Sequence, residues 1–251
     1  MISLEHINAA YQTKAGTLPV LSNIDIQVPE GETCALIGPS GCGKSTLLKI
    51  AAGILTNVQG SVFFRGEPLD PAKHVIGFMP QNYGLLPWRR VRDNILLGWR
   101  IKRGNDTKDR FVWQELISRL GLEKLLDRYP GELSGGQQQR VGLARVFYLR
   151  PDLLLMDEPF SALDAITREE MQDVFLELWR VYGVTTLLVT HQPEEAVLLG
   201  QRITVLSPRP ASVVKIIDNP LFARPDMRRQ PSFLTVENEL RQALLSARNS
   251  A

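Results

Sequence analysis

The sequence predicts an α/β domain in which a mostly parallel β-sheet is covered by helices on both faces. Short apolar segments typical of buried strands alternate with longer segments whose apolar residues recur at helical spacing. One of the strands leads into a glycine-rich loop, and the residues after this loop are predicted to be helical. A less regular middle stretch adds a helical insertion to this alternation.

The first part of the chain predicts two early strands and then a strand, a loop and a helix in succession. Alternating apolar residues indicate strands from Ile2 to Tyr11 and from Ile24 to Val28. A short buried strand from Thr33 to Ile37 ends at the glycine-rich loop. A helix then follows from Lys44 to about Ala52, with Gly53 as its left-handed cap.

The middle of the chain predicts a helical insertion over about Tyr83 to Pro130. Within it we expect a helix from about Asp109 to Leu120, with four apolar side chains on one face: Trp113, Leu116, Ile117 and Leu120. After the insertion come a helix from about Gln137 to Tyr148 and an apolar strand from Leu153 to Met156.

The last part of the chain predicts a further alternation of helix and strand. Apolar residues at helical spacing indicate a helix from about Thr167 to Tyr182, and the strand Thr185 to Thr190 follows it. Closing strands are expected over Ile203 to Leu206 and Val213 to Ile217. A polar, proline-containing tail comes next and is predicted to end in a helix.

Composition narrows the classes of function. The 251 residues suit one α/β domain, and 29 basic against 27 acidic residues leave a net charge of +2, so a nucleic-acid partner is not expected. Cys34 and Cys42 lie in or beside one strand and loop, which favours a reducing compartment over a disulfide scaffold. The opening residues lack the pattern of a signal peptide, and the apolar runs are too short to span a bilayer. We therefore expect any membrane role to depend on a partner.

The glycine-rich loop carries the strongest functional signal. Two glycines bracket four residues, Lys and Ser follow, and the loop joins a strand to a helix. Such a loop points backbone N–H groups at a polyphosphate, and the helix dipole adds positive potential. Lys44 is predicted to reach the β- and γ-phosphates and Ser45 to bind Mg²⁺. This context disfavours the alternative, an ordinary connection before a helix. The predicted nucleotide-binding residues are Gly38, Pro39, Ser40, Gly41, Cys42, Gly43, Lys44, Ser45 and Thr46.

Two carboxylates follow the apolar strand that begins at Leu153. Because the carboxyl edge of a parallel sheet commonly holds the ligand, Asp157 is predicted to bind Mg²⁺ and Glu158 to polarise the attacking water as general base. The alternative is a solvated acidic turn, which would be preferred if the glycine-rich loop were absent.

A third motif runs from Leu133 through four residues that open a helix: Ser134, Gly135, Gly136 and Gln137. A serine cap followed by two glycines exposes backbone N–H groups and gives a second anion-binding helix terminus. Alone, the segment would be an ordinary helix cap. In this order, however, the three motifs resemble those of the ABC ATPase superfamily, whose signature sequence this segment matches.

The resemblance covers essentially the whole chain. It implies a P-loop NTPase core with a mostly parallel sheet, an N-terminal antiparallel β subdomain and a helical insertion. It also implies an ATPase domain over residues 1–220, with a helical subdomain at about 83–150, and a C-terminal helical tail over 221–251.

The resemblance assigns roles to residues outside the three motifs. Tyr11 matches an aromatic residue that stacks on adenine, the alternative being a core aromatic at a strand end. Gln81 matches a glutamine that senses Mg²⁺ and the attacking water. The loop from Ser161 to Asp164 matches one that crosses the dimer interface, and His191 matches a switch histidine that contacts the γ-phosphate.

The resemblance also implies cofactors and partners. ATP and Mg²⁺ are clamped in an isologous dimer of this chain, or of this chain and a close paralogue, where each phosphate loop faces the partner's signature. It further implies that integral membrane permease subunits hold the dimer at the cytoplasmic face of the membrane, where this chain is a peripheral protein. A periplasmic or extracellular solute-binding protein is then expected to act through the permease.

Further segments resemble ATPases of the nitrate, sulfonate and taurine importer class: Gln81 to Trp88, Val91 to Asn94, Arg224 to Asp226, and Phe233. Three apolar residues of the first segment are predicted either to dock on the permease or to pack under the helical insertion: Leu85, Leu86 and Trp88.

Two other functions compete with transport. A soluble ABC-type ATPase of a non-transport complex, acting on DNA or ribosomes, usually carries tandem cassettes, long coiled coils or basic linkers. This sequence has a single cassette without a sustained heptad pattern. If the chain were a small-molecule kinase with a phosphate loop, the signature match and His191 would have no function.

Overall fold

The computed structural model describes residues 1–14, 16–104, 110–224 and 226–249. The strands are β1 (Ile2–Thr13), β2 (Gly16–Val28), β3 (Thr33–Ile37), β4 (Gln59–Phe64), β5 (Glu67–Pro68), β6 (Ile76–Met79), β7 (Leu153–Asp157), β8 (Thr185–Thr190), β9 (Arg202–Leu206) and β10 (Val213–Asp218). The α-helices are α1 (Lys44–Ala51), α2 (Val91–Arg103), α3 (Arg110–Arg119), α4 (Gly135–Tyr148), α5 (Ala165–Tyr182), α6 (Pro193–Leu199) and α7 (Pro231–Asn249).

The described strands form an antiparallel sheet and a mostly parallel one. The antiparallel sheet has the order β2-β1-β4-β5, and the larger sheet has the order β10-β9-β3-β8-β7-β6. In the larger sheet β10 is antiparallel to β9, and the other described neighbours are parallel. This topology confirms the predicted α/β class, including its antiparallel β subdomain.

The register of the parallel sheet aligns the carboxyl ends of the central strands. Ile37 at the end of β3 pairs with Thr190 of β8, and Asp157 at the end of β7 pairs with Val189. Met79 at the end of β6 pairs with Met156. The loops that leave these strands therefore emerge side by side at one edge of the sheet.

The apolar residues form a core on each face of the parallel sheet. On one face, the antiparallel sheet and α1 bury residues such as Leu4 and Leu47. On the other face, residues of α2 to α7 share a core that includes Phe147 and Phe175, and α2 and α3 join it through α4. Strands β3 and β8 are buried along their whole length because both faces are covered, and their buried polar residues are threonines: Thr33, Thr185, Thr186 and Thr190.

Several elements differ from the sequence-based prediction. Helix α2 is not predicted, because its many polar residues mask the short buried face formed by Val91, Asn94 and Ile95. Strand β2 begins at Gly16, well before the predicted Ile24, because its antiparallel pairing with β1 continues to Thr13 and Gly16 at the turn of the hairpin. The predicted start of α3 at Asp109 lies outside the described residues.

The tail packs onto the domain through its helix. Phe233, Leu240 and Ala243 of α7 are buried in the same core as Leu221. Arg228, which precedes α7, donates to Asp173 Oδ1 at 2.9 Å and to Gln172 Oε1 at 2.8 Å on α5. Across the described ranges, no helix combines the length and the apolar composition that crossing a bilayer requires.

Candidate active site

The phosphate loop, residues 38–46, connects β3 to α1 at the carboxyl edge of the parallel sheet. A glycine is required at position 43, where φ is 124° and a Cβ would lie 2.8 Å from side-chain carbons of Val20 and Leu21. The buried Lys44 folds over the loop, and its Nζ donates to the carbonyl oxygens of Gly38 at 2.8 Å and Pro39 at 2.9 Å. The loop therefore holds the ammonium group of Lys44 against its own carbonyl oxygens.

The hydroxyl of Ser45 lies beside the first of the two predicted carboxylates. Ser45 Oγ donates to Asp157 Oδ1 at 2.9 Å. Burial raises the pKa of the Asp157 carboxyl, the bond from Ser45 opposes this rise, and the nearby charge of Glu158 adds to it. A hydroxyl and a carboxylate are hard oxygen donors of the kind that Mg²⁺ prefers, so this pair fits the predicted metal site.

Glu158 stands at the centre of a cluster drawn from three neighbouring strand ends. Its backbone has a φ of 47°, and its N–H donates to the carbonyl oxygen of Val189 at 3.0 Å. Its Oε2 accepts from Gln81 Nε2 at 3.3 Å and lies 3.2 Å from His191 Nδ1. Residues that the sequence predicted separately thus converge on one carboxylate.

Tyr11 belongs to the same region and is not a core aromatic. The residue is 41% exposed, and its hydroxyl lies 3.1 Å from Thr46 Oγ1 in the phosphate loop. It lines a cavity of about 240 Å³ whose other lining residues are Val20, Ser40, Gly41, Gly43, Lys44, Ser45, Thr46, Glu158 and Arg209. A partly exposed aromatic residue at the edge of this cavity is suited to stack on an aromatic base.

The signature segment, residues 133–137, forms the start of α4. Ser134 Oγ accepts from the Gln137 backbone N–H at 3.3 Å, and Gln137 Oε1 accepts from the Ser134 N–H at 3.0 Å, which is a capping box. The helix therefore begins at Gly135 rather than near Gln137, because a cap bonds to the third residue of its helix. Within the described residues, the segment contributes nothing to the cavity at the phosphate loop.

The model of the family described as "ABC transporter" matches residues 21–161. The chain belongs to the ABC transporter family. It is 41% identical to the taurine import ATP-binding protein TauB of Escherichia coli O157:H7, over 86% of this chain and 83% of that protein. It is 38% identical to the aliphatic sulfonates import ATP-binding protein SsuB of a Bacillus cereus strain, over 96% of this chain and 94% of that protein.

Solved structures of ABC cassettes share the fold. The dimeric ATP-binding cassette MJ0796 in a post-hydrolysis state, bound to ADP and Pi, is 30% identical, with a TM-score of 0.76. The match covers 87% of this chain and 98% of that one. This ABC protein is accordingly an ATP-binding ATPase and the ATP-hydrolysing subunit of an ABC importer, which confirms the family and activity predicted from the sequence.

Asp164 has a clear structural role in this ABC protein. Its Oδ1 accepts from the Thr167 backbone N–H at 3.0 Å and so caps α5. Hydrogen bonds from Thr167 lower the pKa of this carboxyl, which is exposed. The cap fixes the loop from Ser161, whereas the predicted role of this loop at a dimer interface remains a prediction.

A buried polar network that the sequence motifs did not indicate supports His191. Glu195 on α6 accepts from the hydroxyl of Thr190, the residue before His191, and from Gln172 Nε2 at 3.4 Å. Burial raises the pKa of the Glu195 carboxyl. Arg168 of α5 donates to Oε1 of Gln192, the residue after His191, at 3.2 Å. Glu195 lies in an apolar helical stretch, so only the fold reveals that its carboxylate reaches the end of β8.

The loop that carries Gln81 is held from both sides. Arg145 of α4 donates to the carbonyl oxygens of Tyr83 and, at 2.6 Å, Gly84. Asn94 of α2 accepts from the Leu86 N–H at 2.7 Å and donates back to the Leu86 carbonyl at 3.1 Å. Leu85 packs against the core, whereas Trp88 is 70% exposed, so local packing explains part of this apolar segment.

The reactivity of the Cys42 thiol in the phosphate loop can be predicted from its surroundings. Burial raises the pKa of its thiol, and the nearby Lys44 opposes the rise. The thiolate fraction at pH 7 is therefore below that of a free cysteine, so alkylation is expected to be slow at pH 7 and faster at pH 9. We expect alkylation to inhibit ATP hydrolysis and MgATP to protect, as measured by residual activity against time of exposure to N-ethylmaleimide.

The second cysteine is a poor competitor in that experiment, since burial raises the pKa of Cys34 to about 11. The control is Cys42→Ser, which should resist inhibition at both pH values. Equal inhibition of this variant would assign the effect to another residue.

Proposed function

We propose that two copies of this chain bind MgATP between them and hydrolyse it to drive uptake of taurine or an aliphatic sulfonate through a separate permease. The convergence of Gln81, Glu158 and His191 beside the phosphate loop carries the hydrolytic part of this proposal. The solute class rests on relatives of 38% and 41% identity, which are named as importers of these compounds. Nitrate, the third solute of the predicted class, is the alternative solute.

The phosphate loop supplies charge and position for the triphosphate. Its backbone N–H groups and the α1 dipole favour the anion, and Lys44 moves from the carbonyls of its own loop to the β- and γ-phosphates. Ser45, Asp157 and Gln81 are the residues that would hold Mg²⁺. When bound, Mg²⁺ offsets the negative charge on the phosphate oxygens.

Glu158 is the general base of this proposal. Its carboxylate accepts a proton from the water that attacks the γ-phosphate in line, and Gln81 and His191 hold it in place through contacts of 3.3 and 3.2 Å. His191 is 44% exposed at the side chain, which leaves its ring free to turn toward the γ-phosphate. Tyr11 stacks on adenine, oriented by its hydroxyl contact with Thr46.

The second half of each site comes from the partner copy. The N-terminus of α4, with Ser134, Gly135, Gly136 and Gln137, offers backbone donors and a positive helix end but lies outside its own chain's cavity. An isologous dimer places it over the partner's nucleotide, with Asp164 in the adjoining interface loop. In this arrangement residues 1–220 are the ATPase domain, about 83–150 its helical subdomain, and 221–251 a tail that braces α5 and α6.

The exposed Trp88 is the proposed contact with the permease at the cytoplasmic face of the membrane. It is 70% exposed in a loop whose backbone Arg145 and Asn94 hold in place, so movement of the loop would be passed to α4 and Gln81. A solute-binding protein would act through the permease and make no contact with this chain.

Copurification tests the transport function. We expect the tagged chain, expressed with its permease, to copurify with it, and Trp88→Asp to reduce the permease recovered because an ionised side chain opposes burial at an apolar contact. The control is Leu245→Asp, a substitution of a 59% exposed apolar residue on α7. Recovery of a soluble complex on DNA or ribosomes instead, without an integral membrane protein, would contradict the proposal.

A further inference from the structure

One cationic side chain of the nucleotide cavity belongs to no motif in the sequence. Arg209 lies in the turn between β9 and β10, residues 207–212, and lines the same cavity as Tyr11, Ser40 and Lys44. The sequence gives no reason to place this turn beside the phosphate loop, which is more than a hundred and fifty positions earlier in the chain.

Backbone hydrogen bonds fix the position of this turn. Ala211 donates to the carbonyl oxygen of Val20 at 2.8 Å, and Ser22 donates to the Ala211 carbonyl at 2.8 Å. Ser207 and Ser212 close the turn through their own backbone bond at 3.0 Å. The turn is thus attached to β2, the strand that also packs against Gly43 of the phosphate loop.

A second contact fixes the turn from the side of β9. The end of this strand touches the start of the phosphate loop, since a Cβ at Gly38 would lie 3.0 Å from the Leu206 carbonyl oxygen. The turn and the loop are therefore joined through backbone contacts, and these contacts place Arg209 at the cavity.

Within the part of the chain that the structure describes, the guanidinium of Arg209 has no partner. Among the described residues it makes neither an ion pair nor a hydrogen bond, whereas Arg202 and Arg228 nearby in the sequence pair with Asp218 and Asp173. Glu158, the acidic residue of the cavity wall, is already engaged with Gln81 and His191. An unpaired cation beside an anion-binding loop is suited to a phosphate ligand.

We propose that Arg209 binds the phosphate chain of ATP in its own protomer, as an additional nucleotide-binding residue. The inference rests on the proposed nucleotide site. Arginine presents several N–H donors in a planar fork that matches phosphate oxygens, and its charge adds to that of Lys44, which lines the same cavity. Its role is to bind the nucleotide, while Glu158 remains the base.

The test compares Arg209→Ala and Arg209→Lys by titration with ATP, ADP and adenosine. We expect Arg209→Ala to weaken ATP and ADP binding roughly tenfold, since a charge-assisted hydrogen bond is lost, and to leave adenosine binding unchanged. Arg209→Lys should keep part of the affinity through its charge. The control is Arg229→Ala, which removes an 87% exposed side chain of the tail, and circular dichroism reports whether each variant is folded.

Three results would overturn the inference. Unchanged ATP affinity in folded Arg209→Ala would remove the phosphate contact, and an equal loss for adenosine would assign Arg209 to the base or ribose. Intact nucleotide binding with a lost dimer would assign it to the partner copy. Failure of the unsubstituted chain to bind ATP would instead contradict the proposed function itself, so the two failures are distinguishable.

Discussion

Glu158→Gln is expected to bind ATP with nearly unchanged affinity and to hydrolyse it at least about a hundredfold more slowly. The amide has the shape of the carboxylate, so it fits beside Gln81 and His191, but it cannot accept the proton of the attacking water. Because hydrolysis reopens the dimer, the variant should accumulate as an ATP-bound dimer. Equilibrium binding, single-turnover hydrolysis and size-exclusion chromatography with ATP measure the three effects.

The matched control for this substitution is Glu239→Gln. Glu239 lies on α7, where it pairs with Lys215 at 2.7 Å, and both side chains are 45% exposed. The same loss of a carboxylate should leave turnover unchanged there. Turnover of Glu158→Gln at the rate of the unsubstituted chain would remove Glu158 from the role of general base.

Ser134→Asp is expected to abolish hydrolysis while leaving binding of ATP to a single chain intact. Aspartate still caps α4, so the helix keeps its N-terminal hydrogen bond, but its charge faces the position proposed for the partner's γ-phosphate. Loss of this anion-binding site should slow turnover at least about a hundredfold. Steady-state hydrolysis and nucleotide titration at low protein concentration separate the two effects.

Ser134→Asn is the matched control because asparagine caps helices as well as aspartate does and carries no charge. It should retain a larger share of the activity than Ser134→Asp. Equal rates for the two variants would show that the added charge is irrelevant, and full activity of Ser134→Asp in a strictly monomeric chain would contradict the two-copy site.

The sequence alone determined the features that are formed by neighbouring residues: the phosphate loop, the buried strands and the cap of α4. The phosphate loop is recognisable because the glycines, Lys44 and Ser45 that make it stand together, and backbone geometry alone gives such a segment its affinity for phosphate. The buried strands are recognisable for a similar reason: a strand covered on both faces is mostly apolar, as Leu153 to Met156 of β7 are. The capping box at Ser134 likewise lies within four residues.

The tertiary structure decided the contacts between residues that are distant in sequence. Gln81 and Glu158 are 77 positions apart, and only the order of β6, β7 and β8 brings them to one carboxylate with His191. Arg209 and Glu195 carry no local pattern, since an arginine in a turn and a glutamate in a helix occur throughout proteins. The apolar pattern along the chain determines which segments are buried, whereas the pairing of strands determines which loops lie side by side. The chemistry of this site depends on side chains from several such loops.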